Sequence, residues 1–155
     1  MFDFLKKKPT FDFKVLDFNQ IIKDKVILSN LRRLTLCSYS GMNQELDMIQ
    51  DAVEVREVNA KAIMVYHEQN MVAWALLSRE KSNFQFCSGT KFDPEKDGVL
   101  FEVFVHPEYR RMGIATKLMF LAKEESGPLS FCVAPHDGPS YAFYNANEEY
   151  KHKKI

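Results

Sequence analysis

The sequence has no excess of charge of either sign. Its 155 residues include 21 lysines and arginines and 21 aspartates and glutamates, so the formal net charge is zero. Without a basic excess there is no overall field to attract nucleic acid, and without an acidic excess there is no sign of an unstructured chain. Apolar residues make up 46% of the chain and charged residues 27%, a composition typical of globular proteins.

Cysteine is scarce. The three cysteines, Cys37, Cys87 and Cys132, lie far apart and are odd in number. No two of them have CxxC spacing, so neither a disulfide framework nor a zinc cluster is indicated. A reducing compartment fits this pattern, and we expect a cytoplasmic protein that holds no metal. Cys132 alternates inward on a predicted strand and is interpreted as a buried apolar thiol.

Long apolar segments are also lacking. The longest apolar run, residues 71–77, is far too short to cross a bilayer. Near the N-terminus a brief apolar stretch precedes three lysines, which inverts the order of a secretory signal. There is no internal repeat, and the length is that of about one domain. We therefore expect one domain over residues 1–155, with a flexible segment at 1–9, and neither membrane nor nucleic acid as a partner.

The periodicity of apolar residues predicts the element order β-α-α-β-β-β-α-β-α. Alternation predicts strands, and helical spacing predicts helices. The predicted strands are 10–15, 61–66, 71–78, 99–105 and 129–134, and the predicted helices are 24–39, 43–53, 110–125 and 140–147. Residues 18–23 fit either the first helix or a loop, residues 84–87 are a possible further strand, and the basic residues 151–154 are interpreted as a solvated tail. This order predicts an α/β domain with a mixed sheet.

The most informative segment is VHPEYRRMGIATKL, residues 105–118. An alternating apolar strand stops at a proline, a basic turn follows, and helical spacing then begins. The first N–H groups of a helix have no intrahelical acceptor, and the helix dipole adds partial positive charge there. Such a turn suits a phosphate or pyrophosphate. Gly113 lets a ligand approach the backbone closely, and the small side chain of Ala115 keeps the next turn clear.

These residues resemble the signature of the GNAT superfamily of N-acetyltransferases, Arg/Gln-x-x-Gly-x-Gly/Ala. The chain supplies Arg110-x-x-Gly113-x-Ala115 after a Val-x-Pro-x-Tyr sequence, with a Phe-Tyr pair about 30 residues downstream. The resemblance implies a GNAT-like mixed, mostly antiparallel sheet with helices on both faces. Because the chain ends at Ile155, we expect the C-terminal strands of that fold to be shortened or missing. The sheet edge left open would favour a homodimer or a partner that completes the sheet.

The resemblance also implies acetyl-CoA as co-substrate. The pyrophosphate would be held by backbone N–H groups, and the side chain of Arg110 would brace the turn or the phosphate. The residues expected to donate these N–H groups are Arg111, Met112, Gly113, Ile114 and Ala115. The side chain of Arg111 fits a solvated surface position as well as a phosphate contact. Phe104 and Val105 would offer backbone groups to the pantetheine arm in a gap beside the strand at 129–134, the alternative being an ordinary buried strand pair.

Two side chains are candidates for proton transfer. Tyr144 matches the general acid that protonates the leaving thiolate in this family, with Tyr141 one turn earlier as the fallback and a core tyrosine as the alternative. Glu102 matches a strand carboxylate that some members use to deprotonate the amine, and a solvated or core-edge carboxylate is the alternative. His136 and Asp137 are candidates for substrate contact.

The predicted function is therefore transfer of an acetyl group from acetyl-CoA to an amine, directly and within a ternary complex. The amine is a small molecule, a protein or a nucleotide, and the sequence does not choose among them. A second hypothesis remains open, in which a non-catalytic GNAT-fold protein binds CoA or a protein partner.

Overall fold

The computed structural model describes residues 9–36, 41–80, 93–133 and 151–154. The strands in these ranges are β1 (Asp12–Asp17), β2 (Ala60–His67), β3 (Asn70–Ser78), β4 (Val99–Val105), β5 (Leu129–Val133) and β6 (Lys151–Lys154). The helices are α1 (Phe18–Ile21), α2 (Lys25–Thr35), α3 (Gly41–Val55), α4 (Pro94–Asp97) and α5 (Ile114–Ser126).

The six strands form one sheet in the order β1-β2-β3-β4-β5-β6. The first four strands are paired antiparallel, whereas β5 is parallel to β4 and β6 is parallel to β5. The sheet is therefore mixed and mostly antiparallel, as predicted. The fourth strand has the predicted bounds, and the predicted hairpin joins β2 to β3 through a two-residue turn at 68–69.

The sheet separates two apolar cores. The α2–α3 face, which is the sheet surface covered by α1, α2 and α3, buries Trp74 against Phe18. The α5 face, on the other side, buries Phe101 and Leu118. Because both surfaces are covered, β3 is apolar at nearly every position instead of alternating. Successive β4 residues therefore point to opposite cores, with Leu100 and Phe104 on the α2–α3 face.

The neighbouring strands β4 and β5 are paired over only two residues. Val99 is opposite Leu129 and Leu100 is opposite Ser130, and these are the two residue pairs found between the described parts of the strands, although β4 continues to Val105. We call the space between β4 and β5 beyond these pairs the strand gap. The gap was expected from the family resemblance, and the structure contains it in place of an ordinary strand pair.

Gly98 lies at the closed end of the strand gap. Its φ is 81°, and a Cβ built there would lie 2.5 Å from the carbonyl oxygen of Pro128. The next residue, Val99, donates its N–H to that same oxygen at 3.0 Å. The backbones of β4 and β5 therefore approach each other closely at this one point, and only glycine allows both the conformation and the approach.

Three predictions about the secondary structure need correction. The helix predicted from residue 110 begins at Ile114, since Arg111 and Gly113 have positive φ angles that interrupt helical geometry. Residues 18–21 form a separate one-turn helix. Residues 151–154 are not a solvated tail in their backbone, because they form β6 along the edge of β5. The edge expected to be open is therefore covered by this chain itself, and self-association stays a prediction.

Other predictions lie outside the described residues. They concern the flexible N-terminal segment at 1–8, the possible strand at 84–87 and the helix at 140–147. The expectation of a single domain over 1–155 also stays a prediction.

Substituting Gly98 tests how much the close approach matters. In Gly98→Ala the new Cβ meets a backbone oxygen, and the residue is also forced into a strained conformation that costs about 1–3 kcal/mol. Gly127→Ala is the matched control, because its φ is 79° but nothing lies within 4 Å of its Cβ. Urea unfolding should show a larger loss of stability for Gly98→Ala. Equal losses would contradict a steric role for the Gly98–Pro128 contact.

A second test uses the carboxylate of Glu80, which follows β3 and links the end of α3 to the start of β2. Glu80 accepts from both terminal nitrogens of Arg56, at 2.8 and 3.2 Å, and from the Asn59 N–H at 2.6 Å. The Arg56 hydrogen bond, helped by the Asn59 N–H, lowers the pKa of Glu80 below its ordinary value of 4.5, although partial burial opposes the shift. Since the folded-state pKa is lowered, the stabilisation is present above that ordinary value and is lost as the pH falls through the folded-state pKa.

Glu80→Gln should therefore lower the thermal midpoint at pH 7, and the difference from the wild type should shrink as the pH falls below about 4.5. Glu57→Gln, at an exposed neighbouring position, is the control and should change little. A Glu80→Gln deficit that stays constant from pH 7 to pH 3 would show that the ion pair is not its cause.

Candidate active site

The segment between β4 and α5 is a compact turn fixed by backbone bonds at both ends. The His106 N–H donates to the Val72 carbonyl at 2.8 Å, which continues the β3–β4 ladder one residue past the strand. The ring Nδ1 of His106 accepts from the Glu108 N–H at 3.2 Å, and the Tyr109 N–H donates to the His106 carbonyl at 2.8 Å. Residues 107–109 close into a short 3-10 helix that begins at Pro107.

An aromatic cluster holds this turn against the sheet. The ring of Tyr109 lies 5.6 Å from the ring of His67, 6.1 Å from that of Phe11 and 6.0 Å from that of His106. These rings come from the residue before β1, the end of β2 and the turn itself. The turn is therefore packed onto the sheet from the side of β1, not only tethered to β4.

Arg110 braces the turn. Its Nε donates to the carbonyl of Val105 at 3.1 Å, and its guanidinium carbon lies 6.0 Å from the centre of the Phe104 ring. The bond links the residue that begins the signature to the last residue of β4. Of the two roles predicted for Arg110, bracing is the one present here, and a contact with phosphate stays a prediction.

The N-terminus of α5 is not capped by a side chain. Gly113 is the N-cap residue, with φ 81° and ψ 6°, and among the described residues no side chain accepts a hydrogen bond from the first turn. The first intrahelical acceptor is the Gly113 carbonyl, which accepts from the Lys117 N–H at 3.1 Å. The N–H groups of Ile114, Ala115 and Thr116 thus precede the helical ladder and carry the positive end of the helix dipole.

The surroundings of Gly113 leave room for an anion. A Cβ built at Gly113 would have nothing within 4 Å, so the space in front of the helix end is open. Arg111 also has a positive φ, of 63°, which is uncommon for a residue with a side chain. The side chains of Arg111 and Met112 are exposed. The geometry suits a phosphate bound mainly by N–H groups at 114–116, slightly later in the chain than the predicted 111–115.

The backbone of β4 is oriented toward the strand gap at alternate residues. His106 and Val72 form a hydrogen-bonded pair of the β3–β4 ladder. Because hydrogen-bonded and non-hydrogen-bonded pairs alternate, the next pair, Val105 and Ala73, is not hydrogen-bonded. The polar groups of Val105 and Val103 are therefore directed away from β3 and into the gap, whereas those of Phe104 are directed to β3. The Val99 N–H, which donates to the Pro128 carbonyl on the β5 side, agrees with this alternation, because Val99, like Val103 and Val105, has an odd-numbered position in β4.

The prediction for Phe104 is accordingly corrected. Its backbone groups pair across the β3–β4 ladder with those of Trp74, because these two residues are opposite each other in a hydrogen-bonded position. The ring of Phe104 instead packs into the core of the α2–α3 face. Val105 faces the gap as predicted, although its carbonyl is already bound by Arg110.

Glu102 is half-buried, and its side chain belongs to the α2–α3 face. Alternation places it between Leu100 and Phe104, both of which are in the core of that face. The carboxylate thus lies on the opposite surface of β4 from α5. It is a core-edge carboxylate by position, and its role as a base stays a prediction.

The remaining catalytic candidates are not in the described part of the chain. Tyr144, Tyr141, His136 and Asp137 all lie outside it, so their predicted roles stay predictions. Cys132 lies in β5, but only its backbone is described. In the described ranges, no group of three His, Cys, Asp or Glu side chains could hold a metal ion, and no helix is long and apolar enough to cross a membrane.

Lys117 and Phe13 were not predicted to belong to the site. The ammonium of Lys117 lies 5.3 Å from the centre of the Phe13 ring, beside the start of α5. We call the segment between β4 and the first turn of α5, residues 106–116, the phosphate turn. Lys117 follows Gly113 by one helical turn, so the sequence already indicates that it lies beside the phosphate turn. The approach of Phe13 is not, because about 100 residues separate it from the turn.

Comparison with known proteins assigns the family. A sequence model of the Acetyltransferase (GNAT) family matches residues 28–147. The chain belongs to the GNAT acetyltransferase family. The predicted family, the predicted class of acyl-CoA-dependent N-acyltransferase and acetyl-CoA as co-substrate are thereby confirmed at the level of the family. No curated protein matches the chain significantly.

Solved structures show the same fold. The aminoglycoside N-acetyltransferase AAC(6')-Iy in complex with CoA superposes with a TM-score of 0.63 over 97% of this chain and 95% of its own, at 14% identity. The apo aminoglycoside 6'-N-acetyltransferase AAC(6')-IG from Acinetobacter haemolyticus has a TM-score of 0.62 over 93% and 94%, at 18% identity. A ribosomal-protein-alanine N-acetyltransferase from Brucella melitensis biovar Abortus 2308 has 0.56 over 88% and 89%, at 15% identity. At these identities the likeness of this GNAT protein to them is one of fold.

A glutamate at position 113 tests the phosphate turn. In Gly113→Glu a carboxylate would occupy the open space at the helix end and repel an anion, so affinity for acetyl-CoA should fall by well over tenfold. Gly127→Glu is the matched control: it lies at the other end of α5 with φ 79° and equally open space. Calorimetric titration should show nearly wild-type affinity for the control. Equal affinities for all three proteins would contradict the assignment of the turn.

Proposed function

We propose that this GNAT protein transfers the acetyl group of acetyl-CoA directly to an amine within a ternary complex. The observation that carries the proposal is the adjacency of two binding features. The uncapped start of α5 suits a diphosphate, and β4, which leads into that turn, directs the polar groups of Val103 and Val105 into the strand gap. A ligand with a diphosphate at one end and an amide-containing arm at the other matches both.

The arm and the thioester would lie in the strand gap. An extended chain beside an unpaired strand edge can exchange hydrogen bonds with alternate residues, which here are Val103 and Val105. One of these N–H groups would also stabilise the oxyanion that forms when the amine attacks the thioester carbonyl. Binding both reactants together contributes to the rate by positioning them.

The amine would approach from the α2–α3 face. Glu102 is on that face of β4, while the turn at the start of α5 is on the other, so the acceptor and the cofactor would meet across the gap from opposite sides. In this arrangement Glu102 takes a proton from the attacking amine, directly or through a water molecule. The tetrahedral intermediate then collapses, the C–S bond breaks, and Tyr144 donates a proton to the departing sulfur.

The class of amine is a separate question that the fold leaves open. Structures of similar fold include aminoglycoside N-acetyltransferases and a ribosomal-protein-alanine N-acetyltransferase. A first panel of acceptors should therefore contain an aminoglycoside, a peptide with an N-terminal alanine, a polyamine and an aminated nucleoside. Consumption of acetyl-CoA that depends on one of these amines would identify the class, whereas binding without consumption across the panel would favour the non-catalytic hypothesis.

The sharpest test of the chemistry is Tyr144→Phe, which removes only a hydroxyl. If Tyr144 is the general acid, the rate of acetyl transfer should fall by roughly 10²–10⁴, the usual span for a positioned proton transfer, while affinity for acetyl-CoA stays nearly unchanged. Tyr141→Phe is the internal control and should lose little. Steady-state kinetics with the accepted amine and calorimetry with acetyl-CoA give the two readouts.

A reversed pattern would assign the acid to Tyr141. Unchanged rates in both variants would rule out a phenol on this segment as the acid, and the thiolate would then leave unprotonated or take its proton from water.

A further inference from the structure

His106 fixes the start of the phosphate turn with three of its polar groups. Its N–H donates to the Val72 carbonyl at 2.8 Å, and its carbonyl accepts from the Tyr109 N–H at 2.8 Å. Its ring Nδ1 accepts from the Glu108 N–H at 3.2 Å. The first two bonds belong to the backbone and do not depend on the side chain. The third depends on the imidazole, so a change of side chain or of protonation can remove it.

The ring bond caps the short 3-10 helix at residues 107–109. Pro107 begins this helix and has no N–H, so Glu108 carries its first N–H group, which has no acceptor within the helix. A side-chain acceptor on the preceding residue is the usual way to satisfy such a group. His106 has non-helical backbone angles, φ −53° and ψ 135°, as a capping residue does. The imidazole therefore takes the place that a serine, aspartate or asparagine usually has.

This cap exists in only one protonation state of the ring. An imidazole nitrogen accepts a hydrogen bond only when it carries no proton, so the neutral ring must have its proton on Nε2. When the ring takes up a second proton, both nitrogens become donors, and Nδ1 then faces the Glu108 N–H with a proton of its own. Histidine ordinarily changes charge between about pH 5 and 8, so the cap is sensitive to pH in that range.

Among the described groups around the ring, only the histidines ordinarily change charge between about pH 5.5 and 8. Carboxylates and guanidiniums keep their charges over this range, and phenols stay neutral. The groups concerned are Glu108, Tyr109, Arg110 and Arg111 on the turn, and His67 and Glu68 where β2 ends. The neighbours from β3 and from the residue before β1, Val72 and Phe11, are apolar. A test must therefore separate His106 from His67.

Loss of the cap would reach the proposed anion site through a short segment of chain. The 3-10 helix is followed by Arg110, which braces the Val105 carbonyl at 3.1 Å, and by Arg111 with its positive φ. The N–H groups at 114–116 come next. A strained residue persists only where its surroundings hold it in place. Removing a bond that closes the turn therefore makes other conformations accessible and leaves those N–H groups less well oriented for a phosphate.

We propose that His106 is a positioning residue for acetyl-CoA binding, whose neutral ring keeps the phosphate turn in the binding conformation and whose protonation weakens that binding. The proposal rests on acetyl-CoA being the ligand of the turn, as in the proposed function. It adds that the protein binds its co-substrate less tightly in mildly acidic than in neutral solution, because binding requires His106 to give its second ring proton to the solvent.

Two substitutions separate the hydrogen-bond acceptor from the titrating ring. His106→Asn keeps an oxygen that can cap the same N–H and does not titrate, whereas His106→Ala has no acceptor at any pH. Acetyl-CoA is titrated calorimetrically into both variants and the wild type at about pH 8 and pH 5.5. Because the phosphates of the ligand also titrate, each affinity is divided by that of His106→Asn at the same pH. Thermal melts at both pH values identify any protein that is not folded.

At pH 8 the wild type and His106→Asn should bind nearly equally, and His106→Ala should bind roughly three- to tenfold more weakly, as for the loss of a cap. At pH 5.5 the wild type should fall by a similar factor relative to His106→Asn, while the ratio of His106→Ala to His106→Asn stays constant. His67→Phe keeps a ring in the cluster without a titrating group, and it should retain the wild-type dependence on pH.

A wild-type ratio that stays constant at pH 5.5 would overturn the proposal. A ratio that rises would also overturn it, and would mean that the charged ring attracts the phosphates. Loss of the pH dependence in His67→Phe would assign the effect to His67 instead. If the wild type binds no acetyl-CoA at pH 8, this proposal and the proposed function fail together.

Nitrogen chemical shifts of the His106 ring in the free protein give a readout that does not depend on the ligand. At pH 8 the proton should be on Nε2, and the Glu108 amide should titrate together with the ring. A proton on Nδ1 would exclude the cap and the proposal with it. If these shifts and the affinities are as expected but no amine is acetylated, the proposed function alone is contradicted.

Discussion

The architecture of the candidate site depends on the parting of β4 and β5 after two residue pairs. Parallel neighbours in a sheet normally bond along their shared length, which would leave no edge for a ligand. Here the two backbones come together at Gly98 and Pro128, where a side chain at position 98 would overlap a carbonyl oxygen. Past the last β4–β5 residue pair, β4 turns the N–H and C=O of Val103 and the N–H of Val105 to the gap, where they form an edge along which an extended molecule can bind.

The same strand also sets the position of the proposed anion site. Three contacts tie the turn after β4 to the sheet: the ladder bond of His106, the Arg110 brace on Val105 and the Tyr109 ring in the aromatic cluster. The N-terminus of α5 is thereby placed at the open end of the gap, and no side chain in the described part of the chain caps it. The positive φ angle of Arg111 stores strain in this turn, a feature that recurs where a backbone is shaped for binding, whereas Gly113 adopts its positive φ without steric cost.

The sequence was sufficient for the local parts of this arrangement. Alternation in VLFEVFV predicted β4 with its observed bounds, and the segment after it predicted a turn that leads into a helix, whose role in anion binding stays a prediction. Features that depend on residues far apart in the sequence were harder to predict. The alternation of hydrogen-bonded pairs in the β3–β4 ladder, which turns Val105 rather than Phe104 to the gap, follows from the register with β3.

The helix start was misplaced because helical spacing does not reveal the left-handed conformation of Arg111. The strand at 151–154 was missed because its lysines suggest solvent, while its pairing is supplied by β5.

The central claim is that the backbone at the start of α5 and the gap-facing edge of β4 bind one ligand together. Amide chemical shifts during a titration of ¹⁵N-labelled protein with CoA test it directly. The account predicts large shifts for the N–H groups of Ile114, Ala115 and Thr116 and for Val103 and Val105, with small shifts for Val26 and Leu28 on α2. Shifts confined to α2 and α3, or shifts at α5 that leave Val103 and Val105 unchanged at saturation, would contradict it.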